Sequence, residues 1–485
     1  MSPATTARLA LAGSRTDLLR IALTGLTTAL AVFVCLVVAA VVAIPDPPGD
    51  AHQNGRYQLT LLDEPGLRPG VVFILLLLLI PMLVLAGQSA RLGAPARDRR
   101  LAAIRMAGAT PGQAVLIAAA ETVVASAVGS LVGLSAFLIA RGVLDRPDQA
   151  GKLLLPTEVL PGVGILAAIC LVIPAAAGLM AMLMLRAVAF TPFGVIRRVR
   201  TRGPRPWGAV VLLAGMGLAV LTATLLHSTR RVPDSLVEVL MLGTIALTVV
   251  GLLLNAASLA HLAGRLLHRF ARGPAALLAA SRLTSDPWSG SRTFGILMTT
   301  VFFASGLAAY RERMAADFRV SHAALEYEIR QSAALSGGQV TAADDSFYFN
   351  TLDALNGILL VATILAAGGM IIAVVEGVLS RRRSYTTQIA AGVPRGVLTR
   401  AILWQVGAPL VPAIAIATAF GVLLVRQLGT EVTAGDGSVF TESVVLPWAR
   451  IGLVAAVGIA VAMAVAAVGA LTLRTATAPE ELRAT

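Results

Sequence analysis

Arg97-Asp-Arg-Arg-Leu-Ala-Ala-Ile-Arg-Met-Ala-Gly-Ala-Thr-Pro-Gly112 is echoed 284 positions later by Arg381-Arg-Arg-Ser-Tyr-Thr-Thr-Gln-Ile-Ala-Ala-Gly-Val-Pro-Arg-Gly396. Without a gap, Arg97 aligns with Arg381, Arg99 with Arg383, Gly108 with Gly392 and Gly112 with Gly396. Each copy follows one long apolar run and precedes another. A basic, glycine-broken segment placed twice between membrane-length runs predicts a duplicated membrane unit with two contact points on one side of the bilayer.

The chain around these segments is 57% hydrophobic and 13% charged over 485 residues, more apolar surface than a soluble domain can hide. A net charge of +13 raises the question of nucleic acid. The arginines flank apolar runs, however, as the positive-inside rule requires, which argues against nucleic acid as a partner. Lys152 is the sole lysine, and the wealth of Ala, Val, Gly and Leu reads as a high-GC actinobacterial genome. Cys35 and Cys170 both fall inside apolar runs, and the five histidines are scattered. Neither a disulfide framework nor a metal site follows from them.

Ten apolar runs approach the roughly 20 residues that span a bilayer: about 19–44, 70–91, 114–140, 159–185, 208–226, 237–260, 294–310, 354–379, 400–425 and 450–473. The first is about twice the length of a signal-peptide core and reads as an uncleaved anchor. Loops alternate in charge. One set carries Arg8, Arg15 and Arg20, then Arg97 to Arg105, Arg197 to Arg205, Arg265 to Arg292, and Arg381 to Arg400; the other is mixed or acidic. That alternation predicts both termini in the cytoplasm, with only Arg230 and Arg231 out of pattern. The longest outer loop, about 311–350, is expected to prolong a helix outward through 312–331 before a Ser/Gly/Asp-rich turn.

The expected fold is therefore an all-α integral membrane protein of ten transmembrane helices with small extracellular loops. Residues 1–205 form one four-helix unit, 206–280 a two-helix connector and 281–485 a second four-helix unit parallel to the first.

Within the first repeated segment Leu101, Ile104 and Gly108 fall at helical spacing among Arg97, Arg99, Arg100 and Arg105. This pattern predicts a short amphipathic helix ended by Gly108 and turned by Pro111 and Gly112. Tyr385, Gln388 and Gly392 occupy the matching places beside Arg381, Arg382 and Arg383. A positive-inside anchor needs only the charge. Recurrence of glycine and length as well favours a docking helix for a cytosolic partner.

These residues resemble a known family. Arg-x-Arg-Arg-Leu-Ala-Ala-Ile-Arg-x-Ala-Gly-Ala-Thr-Pro is similar to the signature of FtsX-like permease domains, the membrane subunits of MacB-type ABC transporters, where it lies between the second and third spans of a four-span unit. The ten-span, two-unit layout resembles Bce-type permeases linked to antimicrobial-peptide resistance. The resemblance covers about 1–198 and 281–485 and extends to Arg282-Leu-Thr-Ser-Asp-Pro287, to Pro192 with Arg197 and to Pro479 with Arg483. It implies a cytosolic ABC ATPase as partner, in two copies, with ATP and Mg bound there rather than in this chain. It also implies membrane lipids as surroundings, an amphiphilic substrate (antimicrobial peptide, lipid or lipoprotein) and a sensor kinase as a further partner. The chain departs from the family at Leu101 and Ser384, where many members carry Glu, and in having roughly forty residues between spans seven and eight instead of a large outer domain.

No catalytic machinery for ATP hydrolysis is expected here. The sole lysine follows Gly151, but Leu153 stands where a Walker A loop needs Ser or Thr, and Arg146 where it needs the first glycine. Inside the spans, Glu121 is echoed at the same offset by Gln405, a pair read as structural glue more readily than as transport chemistry. Gly129 and Gly133 form a GxxxG pattern that permits close helix contact. Glu376, just over one turn before Arg381, reads as an interfacial ion-pair partner, and Asn255 and Asn356 as buried amides that bond between helices. Two other readings remain open from sequence: an ion-coupled secondary transporter using Glu121 and Glu376, and a regulatory scaffold relaying ATPase motion.

Overall fold

In hydrocarbon a backbone N–H or C=O has no water to bond, so a chain this apolar forms long helices. The computed structural model describes residues 15–46, 108–147, 151–189 apart from 154, 207–226, 233–333, 346–429, 431–434 and 440–476, with scattered positions between 55 and 106. Among the described residues nine helices are long and apolar enough to cross a membrane. They match nine of the ten expected runs; most of the tenth, 70–91, lies outside the described residues. The chain divides into two compact units, Met1–Val199 and Arg200–Thr485.

The first unit contains α1 (Arg15–Val42), a single turn α2 (Thr60–Asp63), α3 (Pro111–Leu144) and α4 (Val163–Ala189). Helix α1 lies along α3 on a stripe of small residues. A Cβ on Gly129 would overlap the Gly25 carbonyl, and one on Gly133 the Ala29 carbonyl. Thr28 Oγ1 reaches Ser126 Oγ at 3.3 Å in the same seam. At the GxxxG pattern the two backbones thus approach closely, the arrangement that lets helices attract through van der Waals contact in lipid. Further along, Val32, Leu36, Ala40 and Phe137 form the core, with Phe33 and Phe137 edge to face at 6.4 Å. Helix α4 completes the unit against α3 and α1.

Beyond the far end of α1 the loops build a small cap. The Asp63 carboxylate accepts backbone N–H groups of Gly55, Arg56 and Tyr57 at 3.0, 3.0 and 3.2 Å. Arg68 is buried; it donates to the Ile44 and Leu62 carbonyls at 3.0 Å and pairs with Asp46 at 3.1 Å. Tyr57 bridges to Leu153 and donates its hydroxyl to Glu158 at 3.2 Å. Burial, and then the Glu158 carboxylate, push the Tyr57 phenol up to about 12.

The second unit begins with the hairpin α5 (Trp207–Leu226) and α6 (Asp234–Phe270) and continues through α7 (Pro274–Ser285), α8 (Pro287–Ala333), α9 (Ser346–Ser380), α10 (Arg382–Ala390), α11 (Arg395–Arg426) and α12 (Trp448–Ala476). The connector helices do not stand apart: α6 packs on α7, α8 and α11. Leu252, Ala256, Leu297, Met298, Met370, Leu398, Leu410 and Ile414 are fully buried in this unit.

The expected prolongation of a helix through 312–331 is present. Helix α8 runs unbroken for 47 residues, about 70 Å at 1.5 Å per residue. Its C-terminal part is held by charge: Glu312 meets Arg450 at 3.0 Å, Arg319 meets Glu442 at 2.9 Å, and Arg311 pairs with Asp353. A hairpin absent from the sequence reading, β1 (Glu431–Ala434) and β2 (Phe440–Ser443), lies against this segment in antiparallel register from Glu431–Ser443 to Ala434–Phe440.

The seam of the first unit is testable. Gly129→Val is expected to destabilise the detergent-solubilised chain by about 1–3 kcal/mol, the usual cost of overpacking. Gly142→Ala, on the same helix with open space around it, is expected to leave the thermal midpoint within a degree or two. Equal midpoints for the two variants would remove the seam from the account.

Candidate functional site

In the second repeated segment α9 ends at Ser380, Arg381 forms a turn, and α10 takes up Arg382–Ala390. Val393 N–H then donates to the Gln388 carbonyl and Gly392 N–H to the Ile389 carbonyl, both at 3.0 Å. This 6→1 and 5→2 pair is a Schellman cap, which needs a residue in the left-handed region, and Gly392 sits at φ 91°. After Pro394 the chain enters α11 at Arg395.

The first segment turns the same way. Gly108 sits at φ 95°, and α3 starts at Pro111, as far before Arg395 as Gly108 lies before Gly392. The helix start differs in chemistry. Thr110 and Gln113 make a capping box, the Gln113 N–H donating to Thr110 Oγ1 at 3.3 Å and the Thr110 N–H to Gln113 Oε1 at 3.0 Å. Pro394 fills the cap position of α11 without a side-chain bond. Positions 103 and 106 are helical, as the amphipathic reading expects. Arg97, Arg99, Arg100 and Arg105 lie outside the described residues.

Two faces of α10 divide the labour. Tyr385, only 2% exposed, joins Val378, Leu398, Ile402 and Leu473 in a buried cluster, with Leu278, Val374, Ile389 and Val393 around it. Ser384, Thr387, Ala390, Gly392, Pro394, Arg395, Gly396 and Arg400 are exposed. Arg395, Gly396, Thr399 and Arg400 line an open cleft of about 380 Å³ at the start of α11. The set Tyr385, Gln388 and Gly392, grouped by sequence as matching places, is therefore split: Tyr385 turns inward and Gly392 faces out. Gly112 and Gly396 are exposed, with open space for a side chain.

Arg381 pairs with Asp286 at 3.2 Å, and Arg282 donates to the Tyr385 hydroxyl at 2.6 Å while its guanidinium lies 4.5 Å from the Tyr385 ring centre. The partnership of Arg282 and Asp286 with the repeat was missed by sequence reasoning. The signal was present as two four-residue spacings, Arg282 to Asp286 and Arg381 to Tyr385, which meet in antiparallel order.

Among the polar residues inside the spans, Glu121 is buried in α3 and Gln405 half-buried in α11. Glu376 is half-buried in the last turns of α9. Asn255 is buried where α5 and α6 touch; a Cβ on Gly208 would overlap its backbone. Asn356 corrects its sequence reading: it is exposed near the start of α9, one turn past the buried Leu352.

Holding Gly392 left-handed makes a local prediction. Gly392→Val carries about 1–2 kcal/mol of backbone strain, so trypsin cleavage after Arg382 and Arg383 is expected to accelerate roughly tenfold. Gly396→Ala, with free space and ordinary backbone, should leave the cleavage rate unchanged.

Residues 356–478 match the family model described as FtsX-like permease C-terminal. The match opens early in α9, takes in α10 and its glycine cap, and closes after α12. No curated protein matches the chain. Proteins of this family generally pair with a cytosolic ABC ATPase. With nine membrane-length helices among the described residues, the chain is a membrane protein, and its 356–478 region is similar to the C-terminal domain of FtsX-like permeases.

Proposed function

We propose that this chain is the membrane lever of an ABC transporter, moved by a separate cytosolic ATPase that grips segments 97–112 and 381–396. The observation that carries the reading is the two-sided character of α10: one face is embedded in the core through Tyr385, the other is open and continues into an arginine-lined cleft. A partner pushing on the open face displaces a body already fastened to α9 and α11. In this reading both termini lie in the cytoplasm of a bacterial plasma membrane, and each segment takes one ATPase copy. ATP and Mg stay in the ATPase, and the chain itself catalyses nothing. Motion carried outward along the helices exports or extracts an amphiphilic substrate such as an antimicrobial peptide, a lipid or a lipoprotein.

Replacing Arg97, Arg99, Arg100, Arg381, Arg382 and Arg383 with Gln is expected to weaken capture of a co-expressed ABC ATPase by at least about tenfold, each exposed pair contributing a few tenths of a kcal/mol. Membrane insertion, checked by extraction and protease mapping, should be unaltered. Full retention of the ATPase by a normally inserted variant, or transport that persists without the ATPase and collapses with the proton gradient, overturns the reading.

A further inference from the structure

Helix α7 is short, 12 residues, and wedged between larger elements. On one side Ala279 and Ala280 are completely buried, and a Cβ on Gly264 of α6 would press on Leu283 and Thr284. Its Leu278 belongs to the cluster around Tyr385. Its final turn carries Arg282 and, at the cap, Asp286, whose backbone N–H bonds back to the Arg282 carbonyl at 3.0 Å. These two side chains meet Tyr385 and Arg381 at the start of α10. The tie combines an ion pair, a charged donor on a buried hydroxyl and a cation over an aromatic face. Such contacts hold orientation better than any one of them alone.

We infer that Arg282 and Asp286 are positioning residues that clamp α7 to α10, making α7 a second arm of the handle through which displacement of segment 381–396 reaches the connector helix α6. The direction of force rests on the function proposed above; the clamp does not. Helix α6 also touches α8 and α11, so a push on α10 is delivered to both sides of the second unit at once. Tyr385 serves in both roles: its ring anchors α10 in the core, and its hydroxyl receives Arg282.

Hydrogen exchange on the full chain in nanodiscs tests the clamp without any partner. Tyr385→Phe combined with Asp286→Ala keeps the ring but removes the hydroxyl and the carboxylate that the two arginines meet. Exchange in 274–285 and 382–390 is expected to rise together by about tenfold, as loss of a charged hydrogen bond implies, with 240–260 unchanged. The charge reversal Asp286→Arg with Arg381→Asp is expected to restore most of the protection lost in Asp286→Arg alone. A rise confined to 382–390, no rise, or a reversal no better than the single change overturns the clamp. In the complex with the captured ATPase, adding ATP and vanadate should alter exchange in α6 of the unaltered chain but not of the double variant, with the ATPase still bound. An equal response in both overturns the transmission role. If the unaltered chain captures no ATPase, the function proposed above fails, and the exchange of the free chain still decides the clamp.

Discussion

Lipid tails are as apolar as leucine, so no hydrophobic drive holds one span against the next. Association must come from close contact, and close contact needs small residues. In the first unit that requirement is met by Gly25, Ala29, Ser126, Gly129 and Gly133. In the second unit Ala413 and Ala417, which stand at the positions of Gly129 and Gly133, are fully buried, but the tightest approach falls one turn later, where Gly421 meets Phe302, Ser305 and Gly306. At the corresponding place in the first unit stands Phe137, packed on Phe33. Each unit brings its helices together by the same physical means while shifting where the backbones touch.

The repeated segment depends on that packing for rigidity. A nine-residue helix is too short to persist by itself in water. Helix α10 persists because Tyr385 and Ile389 are sunk among α7, α9, α11 and α12, and because a left-handed glycine closes its end. The glycine turn is common to both copies; the chemistry after it is not. A capping box starts α3, whereas a bare Pro394 starts α11 beside an arginine-lined cleft. The two copies therefore share a backbone turn and differ in the side chains that follow it.

Charge does different work at the opposite end. The C-terminal part of α8 is too polar to be carried by apolar packing. Arg311, Glu312 and Arg319 each find an opposite charge on another element, Asp353, Arg450 and Glu442, and Arg313 donates to the Gly429 carbonyl at 2.6 Å. In the first unit Asp63 and Arg68 perform the same service by capturing backbone groups.

Apolar run length and the doubled glycine turn were both legible in the sequence, because membrane insertion and a left-handed turn are local demands that each segment meets with its own residues. So was the prolongation of α8, since nothing in 312–331 breaks a helix. The inward turn of Tyr385, the exposure of Asn356, the hairpin on α8 and the meeting of Arg282 and Asp286 with the repeat were decided only in three dimensions. Each depends on a partner far along the chain: Tyr385 is buried because α7, α11 and α12 converge on it, and periodicity within one helix says which residues share a face but not what that face will meet.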